Sequence, residues 1–344
     1  MYPRIAAGGS AFARGQQYGS QARREIAHCI ASYRALWRHR AGLEWDTALA
    51  HASRFQGAIH AFAPDCIDEM RGIAHGAGVA YESILALNCR SELMFAAASK
   101  AGECTSFAVV DQGRLFIGQS WDWVPFAREL AVVLSVEGAY TTVVEAGMLA
   151  KIGFNAAGLV LCTNTLVSAT DTAKSGVQYH IILRRLLDMR TFAEARHLLE
   201  TTERALSANY LVGHRDGQVA NFEGAAGGRA TLRITEPKNG VLAHSNHFLD
   251  PALAEADSYV RQHPHSITRL ADLRKSLATA RSMDALKTAL KNHDHAPNGV
   301  CSHPDPGANP LNARTTVASM VADPTAGEMW IADGPPCSHE YHRA

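Results

Sequence analysis

The chain changes character at Cys104, within Gly102-Glu103-Cys104-Thr105-Ser106-Phe107. Upstream, residues recur at helical spacing, as in Arg23 and the mostly apolar Ile26, Ile30, Tyr33 and Trp37. Downstream, short β-prone runs separated by turn residues take over, beginning with Phe107–Val110, the turn Asp111-Gln112-Gly113, and Leu115–Gln119. A nucleophile-type side chain at that junction constrains the chain strongly. Its thiol can attack the peptide bond before it, which would leave a new amino terminus on the same residue. The chain is then a precursor, and its activity belongs to two fragments, 1–103 and 104–344.

The helical reading covers 12–100. Pro64 and Asp65 open one helix, Gly76-Ala77-Gly78 breaks it, and another runs from Tyr81 to Ala98. After the first hairpin, strands are expected at Leu130–Val136, Thr141–Glu145, Leu159–Thr163, Tyr210–His214, Gln218–Glu223, Ala230–Ile234 and Val241–Ser245. Helices are expected at Tyr179–Asp188, Phe192–Thr201 and about 252–292, and a last hairpin at Thr315–Val321 and Glu328–Ala332. Strands and helices in blocks, rather than in strict alternation, argue for an α+β arrangement of sheets flanked by helices and against a doubly wound parallel sheet.

Charge excludes some partners. The 344 residues carry 33 basic and 33 acidic side chains, so nothing points to nucleic acid or an anionic membrane surface. No apolar run reaches membrane-spanning length and no signal-peptide pattern opens the chain. The 7 cysteines are odd in number and widely spaced, without a Cys-x-x-Cys pair, which fits a reducing cytoplasm. Gly-x-x-x-x-Gly-Lys-Ser/Thr is absent, and no nucleotide cofactor is expected.

Several blocks, in order, resemble the acyl-coenzyme A:6-aminopenicillanic acid acyltransferase family. They are Gly72-Ile73-Ala74-His75-Gly76-Ala77-Gly78-Val79, Ile84 to Leu93, Glu103-Cys104-Thr105-Ser106, Gly118-Gln119-Ser120-Trp121-Asp122-Trp123, Asn155-Ala156-Ala157-Gly158-Leu159, His244-Ser245-Asn246-His247-Phe248, Cys301-Ser302-His303-Pro304 and Gly334-Pro335-Pro336-Cys337. The resemblance implies an N-terminal-nucleophile hydrolase with a four-layer αββα sandwich, preceded by a helical pre-cleavage segment. It also implies self-cleavage between Glu103 and Cys104, with fragments that stay associated, and action on a small acylated amine through an acyl-Cys104 thioester. Acyl-coenzyme A is a candidate co-substrate. Acyl-coenzyme A-dependent N-acyl transfer as the main activity, an uncleaved ligand-binding homologue and a zinc-dependent hydrolase are the competing readings. A homo-oligomer is compatible with the sequence.

Chemistry gives these residues roles. After cleavage the Cys104 α-amine, with a pKa of about 7.7–8.0, can take the thiol proton without a histidine. Asp122, 18 positions on, returns to the level of Cys104 across the hairpin; spacing alone reads it as a turn or cap aspartate, and the resemblance implies that it holds the α-ammonium. Asn246 either terminates a strand through a side-chain turn or, as the resemblance implies, donates to the oxyanion, with Asn164 a second candidate for substrate or oxyanion contact. Arg314 is read as orienting Asp122, binding a substrate carboxylate or lying solvated on the surface. Trp121, Trp123 and Phe248 either wall an acyl pocket or pack the core. No metal is expected. His293, His295, Cys301 and His303 share one proline-rich loop but lack helical or Cys-x-x-Cys spacing. The helix around Arg269 to Arg281 is read as a solvated face.

Overall fold

The computed structural model describes residues 1–96, 103–173 and 175–344. A short strand, β1 (Arg4–Ala7), precedes the helices α1 (Ala11–Gln21), α2 (Arg23–Ala41), α3 (Trp45–Ser53), α4 (Gln56–Phe62), α5 (Pro64–Ala77), α6 (Tyr81–Asn88) and α7 (Arg90–Ala96). The single helix expected from Tyr81 to Ala98 is two, parted at Cys89, and residues 97 and 98 lie outside the described residues. Asn88 explains the break. Its amide donates back to Ile84 O (2.9 Å) and across to Gly147 O (3.0 Å), competing with the helical ladder.

The junction hairpin is longer than expected, β2 (Glu103–Asp111) and β3 (Arg114–Trp123). Gln112 and Gly113 both have positive φ (49° and 78°), the backbone that a tight two-residue hairpin turn requires. Then follow α8 (Ala127–Leu130), β4 (Ala131–Val136), β5 (Tyr140–Glu145), β6 (Ile152–Asn155), β7 (Leu159–Thr165), α9 (Tyr179–Leu186), α10 (Phe192–Thr201), β8 (Ala208–His214), β9 (Val219–Gly224), β10 (Leu232–Thr235) and β11 (Val241–His244). The chain closes with α11 (Pro251–Ala254), α12 (His265–Leu277), α13 (Met283–Ala289), β12 (Thr315–Asp323), β13 (Glu328–Ala332) and β14 (Tyr341–Arg343). The expected helical block at 252–292 is thus three helices with irregular chain between the first two. The strands β1, β6 and β14, each of three or four residues, were not legible.

Among the described residues the strands form two sheets, ordered β1-β4-β5-β6-β7-β8-β9-β10 and β11-β2-β3-β12-β13-β14. They stack with β2 and β3 against β7 and β8. Helix α10 covers the eight-stranded sheet. Helices α12 and α13 cover the other, where Leu270, Leu273, Leu277 and Leu286 pack on Phe107, Val109 and Phe116. This is the α+β, four-layer αββα sandwich expected.

A two-bond polar tie crosses between the sheets. Gln119 of β3 donates to Thr163 O (2.8 Å) and accepts from Thr163 N (2.7 Å) of β7. Strand β6 pairs with β7 only as far as Leu161, so the Thr163 peptide has no strand neighbour on that side and a side chain satisfies it.

The helical segment is fastened to the sandwich by a shared apolar core, in which Ile26, Trp37, Ile84 and Leu87 join Val132, Val144 and Leu149, and by backbone and charge. Strand β1 adds a parallel edge strand to β4, with Ile5 opposite Leu134. Two nearly fully buried ion pairs cross over, Arg90–Glu145 (2.9 Å) and Arg184–Glu69 (3.2 Å). Within the segment, α1 and α5 touch backbone to backbone. A Cβ on Gly72 or Gly76 would lie 2.2 or 2.1 Å from the carbonyl oxygens of Phe12 and Gln16. Glycine is required there for space.

Candidate active site

In the junction hairpin Cys104 lies opposite Trp121, and Glu103 opposite Asp122. Directly opposed residues share a face of the sheet. The Cys104 thiol and the Trp121 indole therefore point between the sheets, as does Ser106, whose hydroxyl donates to Asn164 Oδ1 of β7 (2.7 Å). Asp122 is one residue off the level read from spacing, and its side chain points to the α12 face. There Thr316 donates to Asp122 Oδ1 (2.7 Å) and the Arg269 guanidinium lies 3.9 Å from Oδ2. The Asp122 main-chain N–H faces the Cys104 sulfur and favours its thiolate.

Side chains grip both main-chain polar atoms of Cys104. Its N–H donates to Asn246 Oδ1 (2.8 Å), and its carbonyl accepts from Asn164 Nδ2 (3.0 Å) and Arg269 Nη1 (3.2 Å). The reason lies in strand length. Strand β11 pairs with β2 only as far as His244 opposite Ser106, so Cys104 projects beyond the ladder and its edge needs other partners. Asn246, two residues past the end of β11, supplies one. Its orientation is forced: Cys104 N–H and Arg269 Nη2 (2.9 Å) both donate to the same atom, so that atom is oxygen. Its Nδ2 donates to Thr165 O (2.9 Å). In the uncut chain Asn246 thus grips the peptide nitrogen of the nucleophile, a contact the oxyanion reading did not include.

Arg269 corrects the solvated-face reading. It is fully buried, and besides Asn246 and the Cys104 carbonyl it donates to Thr105 Oγ1 (2.8 Å). Its position carried a signal. Arg269, Leu273 and Leu277 recur every four residues, so Arg269 extends the apolar stripe of α12. Arg314, half-buried, donates to Ser302 Oγ (3.1 Å) and to Asn298, with His265 at 3.1 Å.

Lys151 was not singled out from sequence, because it sits in a turn without periodicity. It is buried, with Nζ 3.1 Å from Tyr179 Oη, 4.8 Å from the Tyr179 ring centre and 5.9 Å from that of Trp121. Burial pushes its pKa down to about 8; Cys104 and Glu145 pull it up and Arg90 pushes it further down. Burial raises the Cys104 thiol; Lys151 is the largest opposing influence, aided by the Asp122 N–H and Arg269, while the Asp122 charge adds to the rise.

The aromatics divide. Trp121 shares the thiol's face. Trp123 donates to Tyr33 Oη (2.8 Å) and stacks under Arg90, so it joins the helical segment to β3. Phe248 packs in a small cluster with Leu166, Ala225 and Leu253. His244 is buried against Glu223 (2.6 Å). In the proline-rich loop His295 turns away to Asp272 (2.6 Å), while His293, Cys301 and His303 converge with Cys337. The sequence reading, which discounted His293, His295, Cys301 and His303 and expected no metal, did not bring in Cys337, because it is far along the chain. No helix among the described residues is long and apolar enough to cross a membrane.

The profile of the family described as acyl-coenzyme A:6-aminopenicillanic acid acyl-transferase matches residues 109–336, which include Asp122, Asn164, Asn246 and Arg269. The chain belongs to that family. A curated relative of this acyltransferase-family chain is the 40 kDa form of acyl-coenzyme A:6-aminopenicillanic-acid-acyltransferase of Emericella nidulans, 27% identical over 192 residues. The match covers 54% of this chain and 52% of the relative, so the chain spans about half the length of the curated relative it matches. Among solved structures it is similar to penicillin V acylase from Agrobacterium tumefaciens (TM-score 0.41, 14% identity, 67% of this chain and 82% of that one). It is also similar to a mutant conjugated bile acid hydrolase from Clostridium perfringens (TM-score 0.42, 11% identity, 70% and 96%).

Proposed function

We propose that the chain is the precursor of an N-terminal-cysteine amidohydrolase or acyltransferase that cuts itself between Glu103 and Cys104. The mature enzyme then acts on a small acylated amine through an acyl-Cys104 thioester. The observation that carries this reading is the grip on the Cys104 main chain by Asn246, Asn164 and Arg269. Past the end of the β11 ladder any buried N–H needs an acceptor, and here three side chains, one of them a guanidinium, converge on a single cysteine. For a nitrogen that becomes the catalytic amine, the acceptor serves before and after the cut.

Maturation begins with Lys151, which is neutral for much of the time near its pKa of about 8. It takes the Cys104 thiol proton, and the sulfur attacks the Glu103 carbonyl carbon. The C–N bond breaks as the nitrogen gains a proton, leaving Glu103 as a thioester on sulfur. Water hydrolyses that thioester, giving a free thiol and a Glu103 carboxylate. In turnover the new α-amine is the base. The sulfur attacks the acyl carbon and the departing amine takes the proton. Water or a second amine then collects the acyl group. The Asn246 amide has a second N–H to offer the oxyanion, a contact worth about 2.7–4 kcal/mol in comparable sites. Asp122 and Arg269 fix one another beside the amine.

Hydrolysis and transfer share every step up to the thioester. The name of the Emericella relative favours transfer with acyl-coenzyme A as donor. The even charge balance, without a basic nucleotide cradle, favours water as acceptor. The first test is intact mass under denaturing conditions. Wild type is expected as two species matching 1–103 and 104–344, and Cys104→Ala as one uncut, inactive chain. Uncut wild type without turnover of acyl amides or acyl-coenzyme A would sink the proposal.

A further inference from the structure

The proline-rich loop and the C-terminal turn bring four soft or borderline donors to one point. The ligand atoms of His293, Cys301, His303 and Cys337 all lie within 4.8 Å of one another. His303 Nε2 is 3.0 Å from His293 Nε2, 3.6 Å from Cys301 Sγ and 3.4 Å from Cys337 Sγ. Hydrogen bonding does not account for such a cluster. An imidazole nitrogen carries one proton or one lone pair, so His303 Nε2 can make one good bond of this kind, not three. A cation at the centre resolves the conflict, because all four groups then direct lone pairs at the same point. A tetrahedron with arms of about 2.0–2.3 Å has ligand-to-ligand edges of roughly 3.3–3.8 Å. The S···N separations fit those edges, and the N···N separation is slightly inside them.

We propose that these four residues bind one Zn²⁺ ion in a closed Cys₂His₂ site. The donor set selects the metal. Two thiolates and two imidazoles without a carboxylate suit zinc and disfavour magnesium, calcium and manganese. Four protein ligands leave no open position, so the ion is structural and takes no part in the thiol chemistry. The scaffold is pre-shaped to receive it. Cys301 N donates to Asn292 O (3.1 Å), His303 N to Pro297 O (3.0 Å) and Ala296 N to His293 O (2.9 Å), closing the loop on itself. Cys337 arrives on the turn in which Ser338 N donates to Pro335 O (3.0 Å). Cys301 is buried while Cys337 and His293 are exposed, so the site is open to metal entry from solvent.

Its place in the fold gives the ion a task. Ser302, between two of the ligands, exchanges bonds with Thr316: Thr316 N donates to Ser302 O (2.9 Å), and Ser302 N donates to Thr316 Oγ1 (2.9 Å). Thr316 Oγ1 in turn donates to Asp122 Oδ1. Ser120 of the nucleophile hairpin donates to Val300 O (2.9 Å) on the same loop. The ion therefore pins the loop that positions Thr316 and Asp122, and ties it to the C-terminal turn.

The test is elemental analysis of full-length protein without a histidine tag, purified from zinc-supplemented medium, in both wild type and Cys104→Ala. One zinc per chain is expected in each, since the site does not depend on cleavage. Cys337→Ser and His303→Ala are expected to lose the metal and to melt at lower temperature. Should either variant fail to fold, cobalt exchange into wild type decides: thiolate-to-cobalt charge transfer together with intense tetrahedral d–d bands is expected. Protein that folds with substoichiometric zinc and gives no such bands overturns the proposal. So does a Cys301–Cys337 disulfide found by non-reducing peptide mapping.

Discussion

The helical segment before Cys104 and the sandwich after it share one apolar core and differ in the polar ties laid over it. The sandwich is held by strand ladders and by apolar faces pressed between layers. The segment packs on that same core and adds an edge strand and two buried ion pairs, Arg90–Glu145 and Arg184–Glu69. None of those attachments runs through the Glu103–Cys104 bond. A cut there removes a covalent link and leaves the adhesion intact, so the two fragments are expected to purify together. The regions also meet at Lys151, whose protonation answers to Arg90 from one side and to Glu145 and Cys104 from the other.

The sharpest way to probe that meeting point is Lys151→Met. Wild-type cleavage should accelerate as pH rises through about 8, where the amine loses its proton. In the variant that inflection should vanish and cleavage should slow by about 10²–10⁴-fold, followed by mass over time. The same amine affects stability with a definite sign. Its native pKa is depressed, so between about 8 and about 10.4 the unfolded chain binds more protons, and stability rises with pH across that window. Lys151→Met should flatten that rise in denaturant melts.

Glu145→Gln attacks the adhesion directly. It strands the Arg90 guanidinium in a buried site and should cost about 3–5 kcal/mol, read by urea unfolding of the uncut Cys104→Ala background. In cut protein it should also release fragment 1–103 at lower urea. Gly76→Ala tests the segment's interior, where a Cβ meets the Gln16 carbonyl; about 1–3 kcal/mol is expected, with cleavage chemistry unchanged. Arg196→Ala removes a solvent-facing i,i+4 pair with Glu200, and the urea midpoint should not move measurably. A large effect from Arg196→Ala, or none from Glu145→Gln, would break the contrast between the two regions.

Local pattern made much of this legible. The 18-residue spacing of Cys104 and Asp122 follows from a hairpin whose turn is written in Gln112-Gly113, and α10 and β13 begin and end where their patterns predict. What stayed hidden depends on tertiary partners. Spacing could not say that Asp122 would sit one residue beyond Cys104 and face the other way, because a one-residue offset reverses the side chain. Arg269 is a charge on an apolar stripe, and only its partners on Cys104, Thr105 and Asn246 explain its burial. Cys337 joins His303 from 34 residues away. Strand β1 is too short to announce itself and exists because β4 offers it an edge.

The Gln119–Thr163 tie has a mechanical consequence. A side-chain amide that closes two bonds on the N–H and C=O of one residue fits a single station along the strand, and sliding by a residue would break both. The two sheets therefore cannot shear past each other in small increments. Any opening between them that admits an acyl group next to Cys104 has to part the layers at that end, at the cost of the Ser106–Asn164 and Asn164–Cys104 bonds, while the Gln119 clip holds the register.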